Sequence, residues 1–232
     1  KRRPPLHRLV PEPGKDRCVM LDVWLTEVLG YPVYNSLTPP DSDERSLTCA
    51  KVPDPATARS LIRRGFRLID TSVSLTRPAG RGLKASAAVV GAGRSAYREP
   101  LLEIAGSCFH GSRFHLDPLI PDADANRIKR EWLRSRMGRP GLWAAVNEKA
   151  PVGFLACSAD RDVRIDLLGV DRRFWGHGIG GALVRSFVSR YKDYDLHVGT
   201  QIGNAASLRL YQKYGFRVSS YAYVLHLHRD LS

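Results

Sequence analysis

The chain has 232 residues, of which 43% are hydrophobic and 25% are charged, and its formal net charge is +13. This composition is typical of a globular protein with one large or two small domains. No apolar run is long enough to cross a bilayer, and the first residues, Lys1–Pro5, lack the apolar segment of a signal peptide, so we expect a cytoplasmic protein.

The positive charge favours an anionic partner, such as a phosphate-bearing cofactor, a nucleotide or nucleic acid. Much of it is dispersed arginine, which is typical of a solvated surface. The four cysteines are far apart and form no C-x-x-C pair, so we expect neither a disulfide framework nor a zinc site, and a reducing compartment is the simplest setting. These cysteines are Cys18, Cys49, Cys108 and Cys157.

The amino-terminal half predicts a basic tail, residues 1–17, followed by a small α/β domain, residues 18–92. Its first part has apolar patches with a turn near Gly30, and Ser46–Val52 reads as a strand. Asp54 and Gly65 then bracket a helix, since aspartate caps helix starts and glycine suits helix ends. A strand from Phe66 to Leu75 follows.

The second predicted domain, residues 93–232, alternates strands and helices, which indicates a mixed α/β sheet. The expected order is a helix over 121–138, a hairpin over 142–157, a strand bearing Asp166, a helix after a glycine-rich turn, a strand over 196–200, a helix over 204–214 and a closing strand or pair of strands over 216–227. His226 and His228 share a face of that last strand. With no third ligand evident, they read as surface or packing histidines, and we expect no metal.

The glycine-rich turn, from Gly176 to Gly181, opens a helix and is suited to bind phosphate through its main-chain N–H groups. Its spelling G-x-G-x-x-G matches the dinucleotide-binding fingerprint, but the first glycine stands too far from the strand and too little chain follows. The phosphate-loop NTPase motif is excluded because no Lys-Ser or Lys-Thr follows the glycines.

Residues 170–180 resemble motif A of the GCN5-related N-acetyltransferases (GNAT), in which a Gln/Arg-x-x-Gly-x-Gly/Ala loop holds the pyrophosphate of acetyl-coenzyme A. Trp175 stands where that family usually has Gln or Arg. Residues 204–216 resemble motif B of the same superfamily, Asn-x-x-Ala/Ser-x-x-x-Tyr-x-x-x-Gly-Phe. Two motifs in the expected order and spacing identify the chain as a GNAT member.

The resemblance implies a splayed central sheet, in which the strands near Leu168–Val170 and Leu196–Thr200 separate around the pantetheine arm. Leu168 and Val170 then supply main-chain groups, one of them to the developing oxyanion. It also implies that Tyr211 is the general acid. The remaining cofactor-binding residues that it implies are Trp175, Gly176, His177, Gly178, Ile179, Gly180 and Asn204. For the general base, the residue types leave Asp166, His115 or water.

Segments around Trp24–Tyr34, Gly65–Thr71 and Ser112–Pro118 resemble the enzymes related to TDP-fucosamine acetyltransferase, which acetylate the 4-amino group of nucleotide-linked deoxyaminosugars in surface polysaccharide biosynthesis. This implies such a sugar as acceptor, bound near Arg113 and His115. Acetylation of a protein N-terminus, a lysine or another small amine is the alternative. A specific nucleic-acid partner is not expected, because recognition motifs are lacking. A homodimer is left open.

Overall fold

A computed structural model describes residues 19–92, 94–159 and 162–229, together with the main chain of 8–10. The helices are α1 (Val23–Leu29), α2 (Pro55–Arg63), α3 (Arg98–Ala105), α4 (Asp122–Arg136), α5 (Ile179–Arg190) and α6 (Ala205–Lys213). The strands are β1 (Arg8–Val10), β2 (Val19–Leu21), β3 (Val33–Asn35), β4 (Ser46–Val52), β5 (Arg67–Arg77), β6 (Val89–Gly91), β7 (Leu142–Asn147), β8 (Ala150–Ala159), β9 (Val163–Val170), β10 (Leu196–Gln201) and β11 (Arg217–Arg229).

The chain forms two compact units, each built from several segments. The first unit comprises residues up to Ser72, residues 113–128 and the chain from Tyr221 onward, and the second comprises residues 73–112 and 129–220. This division differs from the sequence domains 18–92 and 93–232, which remain a prediction. The predicted tail, Cys18 and Gly93 lie outside the described residues, except for the main chain of 8–10.

The first unit contains strands in the order β1-β2-β3-β4-β11. Only β3 and β4 pair in parallel, and the other neighbours are antiparallel. Side chains of β4 alternate between two cores: Leu47 and Cys49 pack with α1 and residues 113–128, whereas Ala50 and Val52 pack with α2. The alternation follows from the two-residue period of a strand.

Besides residues 73–77 of β5, the second unit contains strands in the order β10-β9-β8-β7-β6. Again one pair, β9 and β10, is parallel, while the other pairs are antiparallel. One face packs against α5 and α6 around Leu183, Phe187 and Tyr211, and the other packs against α3 and the end of α4 around Leu101 and Leu133. Both faces of this sheet are therefore covered.

Local sequence signals explain most helix boundaries. The Asp54 side chain accepts a hydrogen bond from the Thr57 N–H at 2.7 Å, and Gly65 has φ of +92°, so the predicted limits of α2 are confirmed. Helix α1 was missed, although Asp22 caps it and Gly30 ends it with φ of +81°. Helix α3 was also missed. No helix among the described residues is long and apolar enough to cross a membrane.

Candidate acyl-coenzyme site

The glycine-rich turn leads directly into α5. Gly176 and Gly178 have φ of +81° and +78°, in the left-handed region that glycine adopts without strain. Gly178 occupies the N-cap position and, as a glycine, has no side chain with which to cap the helix. The N–H groups of the first turn of a helix lack intrahelical partners, which is the feature that suits this end of α5 to an anionic ligand.

Two further glycines let α5 approach its neighbour α6 closely. A Cβ atom added to Gly181 would lie 2.4 Å from the Tyr214 hydroxyl oxygen, and one added to Gly180 would lie 3.3 Å from Leu210. Ile179, between the loop and these glycines, packs against the core that contains Tyr211. The position of the phosphate-binding end of α5 thus depends on small residues in its first turn.

Strand β9 contains a β-bulge at Asp166. Ile165 pairs with Cys157 and Leu167 pairs with Ala156, so Asp166 is the extra residue between two successive partners on β8. Because of the bulge, Ile165 joins the core on the α5 side and Leu167 joins the opposite core. The bulge changes which residues of β9 face α5.

The parallel pairing of β9 with β10 is short. It joins Val163, Arg164 and Ile165 to Leu196, His197 and Val198, and it ends at the bulge. Beyond Ile165, the described residues of β9 form backbone pairs with β8 as far as Val170, but not with β10. The bulge that interrupts the ladder is thus a physical cause for the strand separation that the family resemblance implies near Leu168–Val170.

The end of β9 lies beside two side chains, Trp175 and Cys108, whose contacts with it were not predicted from the sequence. Asp171 donates its N–H to the Val152 carbonyl on β8 at 2.9 Å, so by alternation the peptide groups of Val170 face the other way. The Val170 carbonyl accepts a hydrogen bond from the Trp175 indole at 2.9 Å. Burial raises the pKa of the nearby Cys108 thiol to about 12, and the Val170 N–H beside its sulfur partly offsets this.

Trp175 is also the most unusual residue of the loop, since it replaces the family's Gln or Arg. Its side chain is 51% exposed, and the Arg172 guanidinium lies 5.4 Å from the ring. His177 accompanies it, with Nδ1 2.9 Å from the Trp175 carbonyl oxygen. Trp175 therefore contacts the strand rather than leaving its polar atom free for a phosphate.

The motif B residues occupy the start and the middle of α6. The Asn204 side chain accepts a hydrogen bond from the Ser207 N–H at 3.1 Å, so it caps the helix. Tyr211 is 4% exposed, and its ring packs 5.8 Å from that of Phe216. Burial raises the pKa of Tyr211, so the phenol keeps its proton at neutral pH, as a general acid must.

Asp166, one of the candidate bases, is already engaged. It accepts a hydrogen bond from the Ser158 hydroxyl at 3.1 Å, and its other oxygen lies 3.5 Å from the Arg136 guanidinium. Arg136 also donates to the Cys157 carbonyl. These contacts hold the Asp166 side chain at the bulge, and removal of its charge would break the ion pair with Arg136.

The predicted acceptor-binding residues Arg113 and His115 belong to the first unit. The Arg113 guanidinium lies 4.6 Å from the Phe114 ring centroid, and His115 Nε2 lies 3.0 Å from the Asn126 side-chain oxygen. Both residues are half-buried. They are thus partly held by their own segment, whereas the predicted cofactor residues all lie in the second unit.

The side chains of His226 and His228 are buried, which agrees with the packing interpretation, but a third group that the sequence did not reveal, Asp117, lies beside both. Asp117 Oδ2 lies 2.6 Å from His226 Nδ1 and 2.8 Å from His228 Nε2, and His226 is fully buried. Asp117 stands 109 residues before His226, so no local pattern could join them. The three atoms that could bind a metal ion, one from each side chain, lie within 4.8 Å of one another. The two N···O distances, however, are those of hydrogen bonds.

Comparisons with known proteins agree with this geometry. The family model of the acetyltransferase (GNAT) family matches residues 99–216, about half of the chain. The chain is 32% identical, over 139 residues, to the spore coat polysaccharide biosynthesis protein SpsD of Bacillus subtilis (strain 168). That match covers 56% of this chain and 47% of SpsD, so the chain spans about half the length of this relative.

Solved structures show the same fold at low sequence identity. A conserved protein of unknown function from Staphylococcus epidermidis has a TM-score of 0.63 at 15% identity, covering 97% of this chain and 95% of that one. A GCN5-related N-acetyltransferase from Kribbella flavida has a TM-score of 0.58 at 16% identity, covering 95% and 89%. One from Sphaerobacter thermophilus has a TM-score of 0.58 at 14% identity, covering 82% and 62%. The chain belongs to the acetyltransferase (GNAT) family.

Proposed function

We propose that this protein transfers the acetyl group of acetyl-CoA to the amino group of a nucleotide-linked deoxyaminosugar. Enzymes of this family use acetyl-CoA as cosubstrate. The observation that carries the proposal is the end of the β9–β10 ladder at Ile165 and Val198, together with the glycine-capped start of α5. Gly180 in the first turn of α5 lies beside Leu168 and Val170 of β9. An open strand edge and a helix N-terminus suit the amides and the phosphates of one elongated ligand.

In this mechanism the main chain of Leu168 and Val170 holds the pantetheine arm, and residues 176–180 hold the pyrophosphate. The Val170 carbonyl is satisfied by Trp175, so the N–H groups at this edge are the natural contacts for the thioester oxygen. The Cys108 sulfur, which lies near the Val170 N–H, is a weak acceptor and would be displaced from it at little cost.

The chemistry is a direct transfer. The neutral amine of the acceptor attacks the thioester carbon, a C–N bond forms, and the tetrahedral intermediate then breaks its C–S bond. Tyr211 donates its phenolic proton to the departing sulfur, and water returns a proton to the resulting phenolate. We assign the proton lost by the amine to water rather than to Asp166, since Ser158 and Arg136 already hold that carboxylate.

The acceptor class is supported by two independent features. Segments of the first unit resemble enzymes that act on nucleotide-linked aminosugars, and the relative SpsD is named for polysaccharide biosynthesis. Arg113 and His115 are the proposed contacts to this acceptor, because a guanidinium can bind a diphosphate with two hydrogen bonds. The alternative acceptor is a protein N-terminus, a lysine or another small amine.

An acceptor panel tests the proposal. Purified protein is mixed with acetyl-CoA and, in turn, a nucleoside-diphosphate 4-amino-4,6-dideoxyhexose, the matching sugar without an amino group, a peptide with a free N-terminus and a lysine peptide. We expect thiol release with the aminosugar nucleotide and none with its deaminated analogue. Release with the peptides alone would establish the alternative and contradict the proposal.

A further inference from the structure

The sequence contains two versions of one segment, 150 residues apart. Residues 54–67, Asp-Pro-Ala-Thr-Ala-Arg-Ser-Leu-Ile-Arg-Arg-Gly-Phe-Arg, align without a gap with residues 204–217, Asn-Ala-Ala-Ser-Leu-Arg-Leu-Tyr-Gln-Lys-Tyr-Gly-Phe-Arg. Five positions are identical, and Asp/Asn, Thr/Ser and Arg/Lys pairs add three similar ones. The second version is the motif B segment that carries Tyr211.

The two segments also share their hydrogen bonds. Helices α2 and α6 each have nine residues, and each begins with a side-chain cap to the third residue after it, Asp54 to Thr57 and Asn204 to Ser207. At the other end, Gly65 and Gly215 have φ of +92° and +86°. The next residue is a buried phenylalanine in each segment, Phe66 or Phe216. Its N–H donates a hydrogen bond of 3.1 Å to the carbonyl of the residue seven positions after the cap, Leu61 or Tyr211.

The likeness extends to the strands before the helices. In the first unit β1, β2, β3 and β4 pair as antiparallel, antiparallel and parallel neighbours, and in the second unit β7, β8, β9 and β10 pair in the same order and senses. Each parallel ladder joins three residue pairs. Each set of four strands is followed by a capped helix and a final long strand, β5 or β11.

The final strands are exchanged between the units. Residues 221–229 of β11 belong to the first unit, where Tyr223–Arg229 pair with β4, the strand of the other copy. Residues 73–77 of β5 belong to the second unit. Val73 and Leu75 are buried there in the same core as Tyr211 and Phe216.

The first copy lacks the features that the coenzyme needs. Between β3 and β4 it has only residues 36–45, without a helix, where the second copy has the glycine loop and α5. Its ladder does not open after β3, because the Ser36 N–H donates to the Cys49 carbonyl at 3.0 Å. Leu61 stands at the position that Tyr211 holds in the second copy.

We infer that the chain is an internal duplication of the acetyltransferase core, in which the first copy has lost its coenzyme site and now completes the catalytic copy with β5. The inference rests on the proposed function for the second copy. Two consequences follow: each chain binds one acetyl-CoA, and the core around Tyr211 requires residues 73–77 of the first copy.

Isothermal titration of the full chain with acetyl-CoA tests the number of sites. We expect one site per chain, and complete loss of binding when Gly178→Val introduces a branched side chain at φ of +78°. Two sites per chain, or a residual site in the Gly178→Val variant, would overturn the loss of the first coenzyme site. No uptake by the unaltered chain would instead overturn the proposed function.

Two leucines of the first copy test the exchanged strand. Leu75→Ala removes a side chain from the core of Tyr211, whereas Leu61→Ala removes an equally buried side chain from the core of the first unit. Both variants should unfold more easily. At a temperature where circular dichroism shows both folded, we expect Leu75→Ala alone to weaken acetyl-CoA binding severalfold. Equal affinities in the two variants would reject the role of β5 in the catalytic core.

Discussion

The Trp175 indole nitrogen lies 2.9 Å from the Val170 carbonyl oxygen, so the glycine-rich loop is fastened to the end of the strand that precedes it. Trp175 stands where the family has Gln or Arg. A residue that could contact a phosphate is thereby replaced by one that positions the loop.

Trp175→Phe keeps an aromatic ring but removes this hydrogen bond, whose net contribution is about 1 kcal/mol. We expect the Kd for acetyl-CoA to rise about fivefold, with kcat nearly unchanged, because the bond orders the binding loop and does not touch the reacting atoms. Titration calorimetry and steady-state kinetics measure the two effects. Tyr194→Phe, at a side chain that is 58% exposed, is the control. An unaltered Kd would contradict the positioning role.

Tyr211→Phe should separate chemistry from binding. Loss of the phenolic proton donor is expected to lower kcat by about 10²–10⁴-fold, while the Kd for acetyl-CoA stays within about twofold, because the ring still fills the core. The rate of thiol release measures the first quantity and calorimetry the second. Tyr97→Phe is the matched control, since Tyr97 is similarly buried but lies in the other core. Normal turnover of the Tyr211 variant would exclude the general acid.

Gly181→Ala tests the close contact between α5 and α6. A new Cβ would collide with the Tyr214 hydroxyl oxygen, so α5 or the Tyr214 ring must shift, at a cost of about 1–3 kcal/mol in the free energy of unfolding. Adding Tyr214→Phe removes the colliding atom and should restore part of the stability and of the acetyl-CoA affinity. Urea unfolding gives the stability. Gly111→Ala has open space around it and should be neutral. A double variant no better than Gly181→Ala would show that the hydroxyl is not the obstacle.

Asp117 should stabilise the first unit in a limited range of pH. Burial would raise the pKa of Asp117, but hydrogen bonds from His226, His228 and the Leu119 N–H lower it well below its usual range. Burial would lower the pKa of His226, but Cys49 and the bond to Asp117 raise it above its ordinary value. The carboxylate of Asp117 therefore stabilises the folded state above about pH 4, and this stabilisation is lost as pH falls. Protonated His226 stabilises the folded state below about pH 6.5, and this stabilisation is lost as pH rises through the raised pKa of His226.

Asp117→Asn is therefore expected to lower the free energy of unfolding by about 3–5 kcal/mol near pH 5–6, because it leaves a buried histidine without its charged partner. The difference from the unaltered chain should shrink below pH 4. Urea titrations at pH 3 to 9 measure it. Asp43→Asn, at an exposed position, serves as the control. A constant difference over the whole range would show that the charge of Asp117 is not what stabilises the unit.

Asp166→Asn tests the assignment of the amine proton to water. The substitution keeps the size of the side chain and removes the charge that faces Arg136. We expect kcat to change by less than about threefold at saturating substrates, with an unchanged pH profile and a lower melting temperature. A loss of about 10²-fold, the smallest contribution typical of a general base, would return that role to Asp166.

Signals that act within a few residues were readable from the sequence. Asp54 and Gly65 delimit α2, Asn204 and Gly215 delimit α6, and the glycines after Trp175 start α5, because a cap or a positive φ is a property of a short segment. The two family motifs are equally local. From them, the mixed α/β fold and the acetyltransferase family could be predicted, and both are confirmed.

Pairings between distant segments were decided only by the tertiary structure. No local pattern around Asp117 indicates its contact with His226, and the bulge at Asp166 depends on the partner strand β8. Val73 and Leu75 fall within the predicted amino-terminal domain, yet they belong to the core that contains Tyr211. The physical reason is that strand pairing and core packing satisfy hydrogen bonds and bury apolar area between residues that are remote in the chain. One-dimensional periodicity says which face of an element is buried, but the fold chooses what lies against it.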